Sequence, residues 1–265
     1  MQQAEDRAIE IGYRRPGCPG EDCQDGRDEH AFGQLHQVAQ PPNHFQPSPR
    51  SGYAAPTSTV NGDNSIHSWA MAKTRDDAWA VLTEFTKNPS LIKHGLGVES
   101  AMRAYAPRYS GDPETWGIAG LLHDYDFERY PDASEHAVKG AAILKERGWP
   151  EEIWYAVLSH SDHSGAQRTM PMQKVLYAVD ELVGFVAAVA LVRPNKSVAE
   201  VEVQAVKKKF KDKAFARAVN REQIFKGADE LGVELDGHIQ TVIDAMKDNA
   251  AALGLAGTTT ATATA

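Results

Sequence analysis

Residues Gly117–Asp126 read GIAGLLHDYD. An apolar run carrying two glycines ends on a histidine and an aspartate side by side, His123 and Asp124. Upstream, Asp112-Pro113-Glu114 is a helix start with proline at the first helical position, so the run is the body of a helix and the His-Asp pair is its end. Successive side chains on a helix point about 100° apart. The pair can therefore reach a common point only where the helix stops and the backbone turns. Imidazole nitrogen and carboxylate oxygen are ligands common to Zn, Mn, Fe and Mg. Two such residues also suit an ordinary solvated helix end, so a metal site needs further ligands from elsewhere in the chain.

Outward from this helix the same period repeats. Thr74 can cap a helix through Lys87 whose apolar face is Ala78, Val81, Leu82 and Phe85, with Asn88-Pro89 closing it. A second helix spans about residues 90–105. Beyond the His-Asp pair, Ser134 opens a helix that Gly148 stops, and Pro150 starts one to about His160. A longer helix covers residues 172–192 and is ended by Pro194. Further helices are expected over 198–209, 213–219, 221–231 (Asn220 capping, Gly232 closing) and 236–253. No stretch alternates as a strand. The fold class is an all-α bundle.

Residues 1–70 differ in kind. They hold none of the chain's lysines and half of its 14 prolines, and they lack helical periodicity. Composition marks them as a disordered extension, and Met71, opening MAKTRDDAWAVLTEF, is a possible initiator. The helical domain is then 71–255, followed by a low-complexity tail, 256–265. Four of the ten histidines (His30, His36, His44, His67) fall among the prolines of the extension and make poor ligands. Cys18 and Cys23 in CPGEDC have neither partner ligands nor a redox spacing. The formal charge of −8 over 265 residues argues against a nucleic-acid partner. No apolar run has the length of a membrane span and the N-terminus lacks a basic-then-apolar signal, so cytoplasm is the expected location.

Several polar residues stand where the helical pattern calls for apolar ones. His94 lies in the stripe of Leu91 and Val98, and His160 lies in line with Ile153 and Val157. Asp180 interrupts QKVLYAVDELVGFVAAVALV, where a lone buried carboxylate costs several kcal/mol unless paired or metal-bound. His136 is expected in the first turn of its helix, with Gly140 following, where a small residue would let another element approach. Taken one at a time, the histidines read equally well as hydrogen-bonded core residues.

In order, they form a set: His94, His123-Asp124, His136 within HAVKGAAIL, His160 within VLSHSDH and Asp180 within LYAVDEL. That set resembles the HD superfamily of metal-dependent phosphohydrolases, whose order is H…HD…D, with two extra histidines in its two-metal members. The resemblance covers roughly residues 90–185. It implies a helical fold and one or two divalent ions, with Mn, Fe, Zn, Mg, Ni and Co all compatible. It further implies that Asp124 bridges the two ions, with His94, His123 and Asp180 on one and His136 and His160 on the other. His123, Asp124 and Lys139 would then be catalytic, and Lys139 or Arg193 could bind a phosphate. Acceptors for the outer imidazole nitrogens could come from Glu181, Asp162 or His163. The sequence departs from the cyclic-dinucleotide phosphodiesterases of the superfamily, with HDYDF in place of HDIGK and no downstream GYP. The expected activity is hydrolysis of a small phosphomonoester or nucleotide. Two alternatives are a di-iron oxygenase using the same six ligands and a non-catalytic module in which metal only staples the helices. The run KKKFKDK (207–213) reads as a solvated helix face or as a contact for a phosphorylated ligand. Oligomeric state is not legible.

Overall fold

The structure, a computed structural model, describes residues 73–257. The expected extension (1–70) and nearly all of the expected tail (256–265) lie outside the described residues. Ten α-helices make up the described chain: α1 (Arg75–Phe85), α2 (Pro89–Tyr105), α3 (Pro113–Leu122), α4 (Val138–Glu146), α5 (Glu151–Ser159), α6 (Pro171–Leu191), α7 (Val203–Phe210), α8 (Arg221–Leu231), α9 (Leu235–Asp248) and α10 (Ala250–Leu253). Three short 3₁₀ turns join them. No strand occurs among the described residues, only an isolated bridge between Ser197 and Ala256. The all-α reading holds.

Local chemistry sets the helix starts. Thr74 and Asp77 form a reciprocal capping box for α1, and Asn88 accepts the Ser90 amide ahead of Pro89 to start α2. Asp112 accepts from the Thr115 amide ahead of Pro113 to start α3. Such caps satisfy amides that the first turn leaves without partners. Two helices run through the core. In α3 every residue from Trp116 to Leu122 is buried, and α6 buries fifteen of its 21 residues.

Glycine sets how closely helices approach. A Cβ on Gly120 would lie 2.9 Å from the Val98 carbonyl oxygen and 3.0 Å from the Glu99 Cα. One on Gly95 would lie 3.2 Å from the Leu121 carbonyl oxygen. These two positions let the α2 and α3 backbones touch. The α6–α8 contact works the same way, with Gly227 against the Ala178 backbone.

Four elements differ from expectation. The helix expected from Ser134 begins only at Val138, because the Asp126 carboxylate takes the amides of Ala137 and Gly140 and Ala137 adopts φ 63°. Residues 213–219 are turns. There the carbonyls of Asp212, Phe215, Ala216 and Val219 accept from the Arg221 guanidinium. The 198–209 stretch is a 3₁₀ turn followed by α7. The 236–253 stretch breaks at Asn249 into α9 and α10, which returns Leu255 to accept the Val198 amide.

Candidate metal centre

Helix α3 stops at Leu122, and His123 and Asp124 stand in the turn that follows. The turn closes through the Tyr125 amide on the Leu122 carbonyl and the Phe127 amide on the Asp124 carbonyl. The glycine contact between α2 and α3 carries His94 to the same place, its Nε2 3.2 Å from His123 Nε2. From α6, Asp180 Oδ1 comes within 3.1 Å of His94 Nε2 and 3.4 Å of His123 Nε2. Asp124 Oδ2 completes this group at 3.3 Å from His123 Nε2 and 3.9 Å from His94 Nε2.

The other oxygen of Asp124 faces a second pair. Its Oδ1 is 3.0 Å from His136 Nε2 and 3.1 Å from His160 Nε2. The ligand atoms thus form two groups, His94, His123, Asp124 and Asp180 in one and Asp124, His136 and His160 in the other, each with its atoms within 4.8 Å of one another. Asp124 belongs to both. All six residues are buried except His94, which is half-buried.

Hydrogen bonds behind the rings set which nitrogen faces inward. His123 Nδ1 donates to the Gly120 carbonyl at 2.8 Å, and His160 Nδ1 donates to the Val157 carbonyl at 2.6 Å. In the neutral ring the Nε2 atoms then carry lone pairs directed into the cluster. His136 Nδ1 faces Asp126 Oδ1 at 3.0 Å, while its buried Nε2 lacks a hydrogen bond of acceptable alignment. Two inward nitrogens facing each other at 3.2 Å repel unless a proton or a cation lies between them.

The donor set fits a divalent ion. Two ligands each about 2.1 Å from an ion, and about 90–110° apart, lie about 3.0–3.4 Å from each other. Most separations above fall in that range. Electrostatics agree. Burial alone would depress the His123 pKa, but the Asp124 and Asp180 carboxylates hold it well above the usual histidine value. His136 is likewise disfavoured as a cation by burial, yet Asp124 and Asp126 push it up to about 9. Burial would raise Asp124, but the facing imidazoles hold it well below the carboxylate range. Asp180 is held low by His123 and His94 against the same desolvation. Without metal, the cluster keeps buried acids charged by favouring protons on His123 and His136, and a cation can replace those protons.

Two partners were not legible in the sequence. Asp126 anchors His136 and the amides of Ala137 and Gly140, and a Cβ on Gly140 would lie 2.7 Å from its carboxylate. The glycine signalled a close approach without saying to what. Gln223 on α8 reaches Asp180 Oδ2 at 3.5 Å. The acceptors expected behind the imidazoles are engaged elsewhere. Asp162 accepts from Arg168, Tyr177 and Lys226, His163 is exposed, and Glu181 Oε2 accepts the Asn220 amide. Lys139 is not brought to the cluster. It is exposed and paired with Glu135 at 2.6 Å. Of the 207–213 run, Lys207 pairs with Asp236 and Lys209 with Asp212.

The all-α bundle thus gathers four histidines and Asp180 around the Asp124 carboxylate, in two groups that could each hold a metal ion. The HD domain family model matches residues 91–245, more than half of the chain, and the chain belongs to that family. No curated protein and no solved structure matched it. Among the described residues no helix is long and apolar enough to cross a membrane.

Proposed function

We propose that this protein is a metal-dependent phosphohydrolase acting on a small phosphomonoester, with two divalent ions at the His-Asp cluster. The observation that carries the reading is the division of Asp124, whose Oδ2 faces His94 and His123 while Oδ1 faces His136 and His160. Ions held in this way supply an activated water and neutralise phosphoryl oxygens. In the net reaction water adds to phosphorus, the ester P–O bond breaks, and the alcohol leaves with a proton, giving inorganic phosphate.

The chain's own residues perform the holding and the orienting. His123 and His160 are locked by the Gly120 and Val157 carbonyls, and His136 by Asp126, so three imidazoles present fixed Nε2 atoms. Burial keeps bulk water from the carboxylates. His94, the most exposed of the six, faces the side from which a substrate can enter.

The test starts from protein purified without chelator, using elemental analysis followed by phosphate release from a panel of monoesters. Asp180→Asn preserves shape and removes charge. It should lose one metal equivalent and at least about a hundredfold in rate, and Asp124→Ala should lose both ions. Full metal content and wild-type turnover in Asp180→Asn would sink the assignment. Oxygen consumption without phosphate release would favour the oxygenase alternative instead.

A further inference from the structure

Beside the metal centre lies a cavity of about 240 Å³. Its polar lining comes from Ser90, Lys93, His94 and Glu181. The rest is aliphatic, with Val183, Leu191, Val219, Met246, Leu253 and Leu255 among its walls. No phenylalanine, tyrosine or tryptophan lines it.

Helix α6 shows how the space arises. From Val175 to Ala190 it is buried except at Gly184, Ala187 and Ala188, and the next half-buried position is Leu191. These four positions follow the i, i+3, i+4, i+7 spacing of one helix face, and all four line the cavity. Their exposure is therefore to the cavity. A Cβ on Gly184 would meet only Val219 Cγ2, at 3.9 Å, so packing does not demand glycine there. Glycine inside a helix is less stable than alanine by about 1 kcal/mol, and what it provides here is open volume.

We infer, resting on the phosphohydrolase reading, that the ligand of the metal centre is a phosphate monoester of an aliphatic alcohol, its hydrocarbon seated in this cavity. The phosphate end meets His94, where the cavity touches the cluster. Lys93, also in the lining, is exposed, with its Nζ 2.7 Å from where a Cβ on Gly254 would lie, and it has no ion pair among the described residues, so it can approach an anion. The buried Glu181 carboxylate, also in the lining, is held by the Asn220 amide and disfavours an anion seated beside it. A nucleotide fits poorly, because a base needs a stacking ring or polar partners along its edges and the aliphatic side chains of the walls supply neither.

The experiment uses the full metal-loaded chain with ethyl, butyl and hexyl phosphate and adenosine monophosphate. Each ester is cleaved at its P–O bond by water to phosphate and alcohol. Expected is a rise in kcat/KM of about fourfold per added methylene, the equivalent of about 0.8 kcal/mol, with adenosine monophosphate below hexyl phosphate. Gly184→Leu fills the aliphatic part and should cut the hexyl-to-ethyl ratio at least about tenfold with metal content unchanged. Ala187→Leu serves the same purpose should the first variant fold poorly. Turnover with no dependence on chain length, or a preference for the nucleotide, overturns the inference and leaves the hydrolase reading standing. If no ester is turned over, hexylphosphonate binding decides. Binding that Gly184→Leu weakens supports the aliphatic ligand and sinks the hydrolase reading, and no binding overturns both.

Discussion

At the scale of single residues, the cluster depends on what stands behind each ligand. Asp126 spends its carboxylate on one imidazole nitrogen and two backbone amides. It thereby fixes His136 and holds Ala137 at a φ of 63°, a region that residues with a Cβ rarely adopt. Asp126→Asn keeps the shape but weakens both jobs, and metal affinity or activity should fall about 10–100-fold, read by titration of the metal-depleted protein. An unchanged affinity would show that His136 needs no such anchor. The proton load gives a second expectation. Ligand nitrogens must be unprotonated to bind metal, and His136 stays protonated up to about pH 9 while His123 is also held high. Metal binding should therefore release protons at pH 7, and affinity should rise with pH until about pH 9. Calorimetric titrations in buffers of different ionisation enthalpy measure the release. An affinity flat from pH 6 to 9 would contradict it.

At the scale of elements, the α2–α3 contact is the feature on which the site's geometry turns. His94 and His123 come from different helices, and their 3.2 Å separation exists because Gly95 and Gly120 remove the side chains between the backbones. Gly120→Ala would improve helix propensity by about 1 kcal/mol. Its Cβ, however, would press on the Val98 carbonyl and the Glu99 Cα, which are backbone and cannot rotate away. Overpacking of this kind costs about 1–3 kcal/mol. The variant should melt several degrees lower and bind metal more weakly, since His94 would be pushed from His123. An equal or higher Tm, with metal retained, would show that the helices can part without disturbing the site.

At the scale of the molecule, the core runs from Ala78 to Leu255 within the described residues. The Thr74 cap that starts α1 lies just beyond Met71. A chain beginning at Met71 should thus keep the Tm and metal content of the full chain, because residues 1–70 lack the apolar periodicity needed to join a core. Differential scanning calorimetry and elemental analysis check this, and a fall of many degrees would show that the extension contributes to folding.

Much of this was written in the sequence. Caps at Thr74, Asp112 and Asn220 marked helix starts because a side-chain oxygen meeting a free amide is a local event, decided within four residues. The apolar period marked the helices, and histidines and an aspartate inside that period marked what is unusual. Other features were not local. The late start of α4 depends on Asp126 taking amides ten or more residues away, and the turns over 213–219 depend on Arg221 collecting carbonyls that a helix would have used. The separation of Asp124's two oxygens toward different imidazole pairs, and the cavity beside His94, also arise only when distant segments pack. The sequence by itself determined the helical class and the kinds of candidate ligand, since periodicity and residue chemistry act at short range. Only the tertiary structure decided which atoms face each other, because those distances are set where helix backbones meet.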